Sequence, residues 1–301
     1  MTNLAQRLLV VLTTSESVLG ISCNGFICLV NCISLVKKKK VSFSDLIITS
    51  LAISRICLLS ILIPDILTFS SDCQEGSKTK DIFTIIWAFI NFLSIWLATC
   101  LSIFYCLKIA NFSHHAFLWL KWRASHVITW ILLASVLFSF FSTWTMIKES
   151  GITFSSKQVT PTTNFTEDIR IKKSIYFSNY IFTGLWMVIP FNTSLISYVL
   201  IILSLRRHIQ QMQNNGTESR DPSTEAHVRA TKIILSFLFL FITYLIAFFI
   251  ILFSCFLSDI VMAWIIGEMV LAAHHSVHSI ILLIGNKKLK QAFLRMFQIK
   301  K

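Results

Sequence analysis

Charge is what this chain has least of. Only 14% of its 301 residues are Asp, Glu, Lys or Arg, 55% are hydrophobic, and the mean hydropathy is +0.72. An ordinary soluble domain carries about 25% charged residues, so a soluble fold is excluded and an integral membrane protein is expected. Catalytic signatures are missing as well. There is no phosphate-cradling glycine loop, no nucleophile elbow and no His-Glu-x-x-His zinc motif, so an enzyme reading has no support. Of the eight cysteines, seven (Cys23, Cys28, Cys32, Cys57, Cys100, Cys106 and Cys255) fall in apolar spans. That leaves Cys73 without a partner in the loop from Lys148 to Lys173, and no disulfide is expected. The last apolar span has no lysine before Lys287, which excludes a retinal Schiff base within it.

What is present is a set of long apolar runs. A helix rises about 1.5 Å per residue and must cross a hydrocarbon core of roughly 30 Å. Seven runs are long enough, at about 8–36, 46–69, 82–108, 125–147, 174–205, 227–257 and 260–285, followed by a tail at 286–301. The expected fold is therefore an all-α membrane protein, a single seven-helix transmembrane bundle over 1–301. Orientation follows from the basic residues, because short basic loops stay on the cytoplasmic side. With the N-terminus outside, the inner face holds Lys37 to Lys40, then Lys108, Lys121 and Arg123, then five residues from Arg206 to Lys232, and six from Lys287 onward. The net charge of +13 is thus largely an inner-face property, suited to anionic membrane lipids and an acidic partner surface and not to nucleic acid. The tail is basic and amphipathic, with Leu289, Phe293, Leu294 and Phe297 able to lie on a membrane. Of the glycosylation sequons, this topology exposes only Asn164 on the outer side.

The few polar residues inside the spans carry the functional expectations. Thr84, Trp87, Asn91, Ser94, Ala98 and Ser102 recur at helical spacing in the third span and should face protein or water. Arg55 stands near the middle of the second span. It is costly there and should face the bundle, with Asn24 and seventh-span residues as partners at matching depth. In the seventh span, Glu268, Ala272, His275 and Ser279 share one stripe, and His274 and His278 have i, i+4 spacing. A metal could use that pair, but hydrogen bonding is the commoner role and no metal or other cofactor is expected. Trp87 reads equally well as an interfacial belt residue or as one wall of a ligand pocket. Intramembrane Arg and Glu could also serve a secondary transporter, against which stand the odd helix count and the lack of a visible repeat.

Several blocks in order resemble one family: LAISR around Arg55, SIWLATCLSIFYCLKIANF in the third span, LWLKWR at Leu118 to Arg123, LSLRRH at Leu203 to His208, RDPSTEAHVRATK at Arg220 to Lys232, and HSIILLIGNKKLKQA at His278 to Ala292. The chain resembles the type 2 (bitter) taste receptors, a class of G-protein-coupled receptor, over essentially its whole length. The resemblance implies a multi-pass plasma-membrane receptor that detects diverse small bitter compounds. It would activate a gustducin-like heterotrimeric G protein, leading to phospholipase C and calcium signalling. It places the agonist in the outer half of the bundle, among the third, fifth, sixth and seventh helices, with Trp87, Asn91, Tyr244 and Glu268 as contacts. It assigns Asn24, Arg55, His278 and Ser279 to a midplane activation network. It assigns Tyr105, Lys108, His208, His227, Arg229 and Lys232 to the G-protein rim. This chain departs from the family in having His275 where a seventh-helix proline is usual, which puts the usual kink in doubt. A vomeronasal-type pheromone receptor is the nearest rival within the receptor class, and a secondary transporter is the rival outside it.

Overall fold

A computed structural model describes residues 4–37, 42–69, 78–110, 112, 114–150, 165–214, 222–254, 256 and 260–298. Those residues form nine helices: α1 (Leu4–Val36), α2 (Phe43–Phe69), α3 (Lys78–Ile109), α4 (His115–Trp122), α5 (Ala124–Ser150), α6 (Phe165–Asn214), α7 (Pro222–Ser254), α8 (Ile260–Gly285) and α9 (Lys287–Gln298). Seven of them, all but α4 and α9, are long and apolar enough to cross a membrane. The apolar runs form helices because a lipid-exposed backbone must satisfy its own hydrogen bonds, and a helix does so within one segment. Serine and threonine are accommodated in the same way. Thr13, Ser17, Ser139 and Thr143 each donate to the carbonyl four residues earlier.

In the bundle, α1 packs on α2 and α8, α7 on α8, and α3 lies against α2, α5 and α6. Two large apolar clusters fill most of the interior. One, at the α9 end, joins Ile47, Leu51, Leu101, Ile201, Phe237 and Leu289; the other, nearer the far end, joins Leu59, Ile66, Tyr244, Ile251, Trp264 and Ile265. The outside is apolar too. Trp130 and Trp144 on α5, Leu185 on α6 and Phe239 on α7 are at least 60% exposed, as expected of residues whose solvent is hydrocarbon. Close approach needs glycine at two places. A Cβ on Gly20 of α1 would strike Ser276 and Leu59, and one on Gly267 of α8 would strike Ile251 of α7.

Local sequence sets the helix ends. The Ser42 hydroxyl accepts the Asp45 N–H at 3.2 Å, capping α2. The Asn286 carboxamide oxygen accepts the N–H groups of Lys288 (3.0 Å) and Leu289 (3.4 Å), capping α9 directly after α8 ends. Leu289 is fully buried, and Phe293 meets Phe26 of α1 edge-on at 5.6 Å, so the apolar side of α9 is held by the bundle. Lys288 then reaches Asn31 Oδ1 (2.9 Å) and Asp45 Oδ2 (3.1 Å), tying α9 to α1 and α2.

Two elements differ from what hydropathy predicts. The helix expected at 174–205 runs from Phe165 to Asn214. Its ends carry Glu167, Asp168, Arg170, Arg206 and Arg207, and helix formation does not stop where the apolar run does. The segment after α3 contains the separate helix α4, too short and too basic to register as a span. It is held by Lys121 Nζ donating to the Ala110 carbonyl (3.1 Å) and by Phe112 packing on Phe117 (5.3 Å).

Candidate functional site

Three of the four expected ligand contacts converge on one cavity. Trp87 and Asn91, one turn apart on α3, face Glu268 on α8, with Leu58, Leu59 and Leu62 of α2 closing the side and Leu271, Ala272 and His275 of α8 the floor. It lies in the half of the bundle away from α9. Asn91 (4% exposed) and Glu268 (5%) are buried, whereas Trp87 is half-buried and packs with Trp186 of α6 over Ala88 and Phe92. Glu268 pairs with no cation among the described residues. The cavity can thus offer an aromatic face, an amide with both donor and acceptor, and a carboxyl group, inside walls that are otherwise aliphatic. The α2 leucines went unforeseen, because apolar residues on a membrane helix carry no sign of which face is turned inward.

Tyr244 belongs to a different space. It lines a second, deeper cavity of about 40 Å³ bounded by Arg55, Ser94, Thr99, Ser194, Tyr198, Phe237, Phe241, His274, His275 and His278. Its hydroxyl donates to Met187 Sδ at 3.7 Å and its ring meets His274 edge-on at 5.1 Å. It is still near enough to Asn91 and Glu268 to interact with both, and His275 lines both cavities. The four residues therefore form two adjoining chambers instead of one.

Below them Arg55, 1% exposed, is held from α8. Its Nη1 donates to His278 Nδ1 and to Ser279 Oγ, both at 3.0 Å. Accepting that bond makes His278 the Nε2–H tautomer. The Ser279 hydroxyl reaches Asn24 Oδ1 (2.8 Å) and, alternatively, the His275 carbonyl (2.9 Å). All four expected network residues meet here, but Asn24 reaches Arg55 only through Ser279. His274 donates from Nδ1 to the Leu240 carbonyl (2.9 Å), so the i, i+4 histidine pair is engaged with an arginine and a backbone carbonyl. Among the described residues no cluster of three or more His, Cys, Asp or Glu is arranged to hold a metal ion. The helix runs through His275 without a break.

The third-span stripe is inward-facing from Trp87 to Ser102, but Thr84, nearer the start of α3, is exposed. A bridge not foreseen in the sequence joins the middle of α3 to α6: Thr99 Oγ1 lies 3.3 Å from the Pro190 carbonyl and accepts from Ser194 Oγ at 3.0 Å. Pro190 has no N–H to donate within the helix, and the Thr99 and Ser194 hydroxyls brace α3 against α6 at this turn. At the α9 end, Tyr105 is half-buried against Phe104 (5.9 Å), and Lys108 is exposed with its ammonium 5.5 Å from the Phe104 ring. His208 falls on the last turns of α6, and His227, Arg229 and Lys232 on the first turns of α7; their side chains lie outside the described ones, as does Asn164 altogether.

With this geometry in place, known proteins identify the bundle. A family model described as taste receptor protein (TAS2R) matches residues 1–301. The chain belongs to the type 2 taste receptor family. Taste receptor type 2 member 3 of Homo sapiens is 46% identical over 300 residues, covering 99% of this chain and 95% of the relative. Taste receptor type 2 member 7 of Papio hamadryas is 45% identical over 299 residues, covering 98% and 94%. Squid rhodopsin superposes with a TM-score of 0.61 at 15% identity over 99% of this chain and 87% of that one, which speaks to the fold. As a type 2 taste receptor the protein is a G-protein-coupled bitter taste receptor of the plasma membrane, crossing it several times, and not an enzyme. The transporter and pheromone-receptor readings lose their basis.

Proposed function

We propose that bitter agonists bind in the cavity shared by Trp87, Asn91 and Glu268, and that the N-terminus is extracellular, so that this chamber opens from outside. The supporting observation is the convergence of those three side chains, from α3 and α8, on one void in the half of the bundle away from α9. Aromatic stacking supplies attraction without demanding one ligand shape, and the amide and carboxyl groups favour compounds bearing an N–H or O–H donor. Tyr244, in the adjoining chamber and in electrostatic reach of Asn91 and Glu268, senses occupancy and passes it inward. There Asn24, Ser279, Arg55 and His278 form the bonded set that changes partners between resting and active states. Tyr105, Lys108, His208, His227, Arg229 and Lys232 then form the rim that meets a gustducin-like G protein. Anionic lipid at the inner face receives the basic side of α9, and Asn164 carries a glycan.

The test is a calcium assay in cells supplied with a taste G protein, screening a panel of bitter compounds and then the best agonist on Trp87→Ala, Asn91→Ala and Glu268→Gln. With surface expression matched, each should lose potency by about tenfold or more, the effect of removing one good buried contact. Unchanged potency in all three places the agonist elsewhere.

A further inference from the structure

The second cavity contains a charge that the receptor's described side chains do not neutralise. Arg55 is a fixed cation, since guanidinium does not deprotonate in proteins, and it is buried on α2 facing that cavity. Its bonded partners, His278 and Ser279, accept as neutral groups. Among the described residues its Nε–H has no hydrogen-bond partner, and neither has Nδ1 of His275, 7% exposed on the same cavity wall. The Tyr198 hydroxyl, from α6, is close enough to Arg55 to feel its charge. Ser94 of α3 adds a further hydroxyl to the lining. A buried cation left to neutral dipoles is costly in low dielectric, far more than one neutralised at contact distance.

We propose that this cavity is a binding site for a single monovalent inorganic anion, chloride in physiological salt, held by Arg55 and His275. The donors are of the right kind. Arg55 Nε–H, His275 as its Nδ1–H tautomer, and the Tyr198 and Ser94 hydroxyls are hydrogen donors on the lining of this one cavity. A metal cation is repelled by Arg55, and a multiply charged anion brings more charge than one guanidinium offsets. The anion would link α2, α3, α6 and α8 at the level where the activation network lies. The site is independent of where the agonist sits, and its test uses no agonist.

Purified full-length receptor in lipid nanodiscs is titrated with sodium chloride against sodium gluconate at constant ionic strength, reading thermal unfolding and the line broadening of the chloride NMR signal. Potassium chloride, sodium bromide and sodium acetate are run in parallel. Chloride and bromide should raise the unfolding temperature saturably, whichever cation accompanies them, and chloride should broaden saturably. His275→Phe, which keeps the guanidinium, should weaken the chloride dependence by about tenfold, one hydrogen bond to a charged ligand. Arg55→Met should abolish it. Should Arg55→Met fail to fold, Tyr198→Phe replaces it and should weaken chloride by several-fold. The same unfolding temperature in chloride and gluconate with no saturable broadening overturns the site. A chloride effect that survives in His275→Phe and in the Arg55→Met or Tyr198→Phe variant puts the anion elsewhere. Acetate equalling chloride overturns the halide in favour of an organic carboxylate.

Discussion

Replacing Ser279 by alanine removes one hydroxyl from the centre of the bundle, and its effect can be worked from the bonds it makes. The residue is fully buried. Its oxygen accepts from Arg55 Nη1 at 3.0 Å and its hydrogen goes to Asn24 Oδ1 at 2.8 Å, with the His275 carbonyl at 2.9 Å as the alternative. Alanine leaves one guanidinium N–H and one amide oxygen without partners, in a place where water is scarce. Bonds to charged groups contribute about 1.5–3 kcal/mol and polar contacts between membrane helices average nearer 0.6, so a loss of about 2 kcal/mol is expected. At roughly 2 °C per kcal/mol for a chain of this size, unfolding in a thermal-shift assay should move down by about 4 °C. Ser22→Ala is the matched control. That hydroxyl bonds only the Val18 carbonyl of its own helix, on an exposed face, and its loss should shift unfolding by less than 1 °C. Asn24→Ala should not add to Ser279→Ala, because both break the same link, and the coupling should be about 1 kcal/mol. Equal shifts for Ser279→Ala and Ser22→Ala, or full additivity with Asn24→Ala, would refute the chain of bonds from α1 through α8 to α2.

Two further outcomes follow from the packing. Gly267→Leu should destabilise by about 1–3 kcal/mol and lower surface expression, because its Cβ collides with Ile251 across the α7–α8 contact. Gly25→Ala, whose added methyl meets nothing within 4 Å beyond its own turn of helix, should be neutral or raise stability by up to about 1 kcal/mol; equal loss in the two would undo the close-packing argument. Lys288→Met should cost less than about 1 kcal/mol globally, since the pair with Asp45 is partly exposed, yet amide exchange in α9 should speed up while α1 and α2 stay protected. Uniform exchange before and after the substitution would mean that α9 is held by Leu289 and Phe293 alone.

The spans were legible because a bilayer imposes a length and an absence of charge, both of which are linear properties of a sequence. The same rule is silent outside the hydrocarbon. It missed α4, an eight-residue helix carrying Lys121, and it ended α6 at the edge of the apolar run, although the helix continues to Asn214. The site was legible where a polar residue stood out against apolar neighbours. Asn91, Glu268, Arg55 and Ser279 were conspicuous for that reason, while Leu58, Leu59 and Leu62, which wall the same cavity, were not.

From sequence alone came the class of molecule, the seven spans, the stripes of α3 and α8, and the need for Arg55 to have partners. These depend on periodicity and on the cost of charge in hydrocarbon, which any stretch of chain carries with it. Tertiary structure decided which partners. It put His278 and Ser279 on the guanidinium and Asn24 one bond further away, it divided Trp87, Asn91 and Glu268 from Tyr244 into two chambers meeting at His275, and it joined Thr99 to the Pro190 carbonyl of α6. Rotation and depth of each helix settle such pairings, and both are set by side-chain packing between helices, where small residues such as Gly20 and Gly267 let the backbones come close.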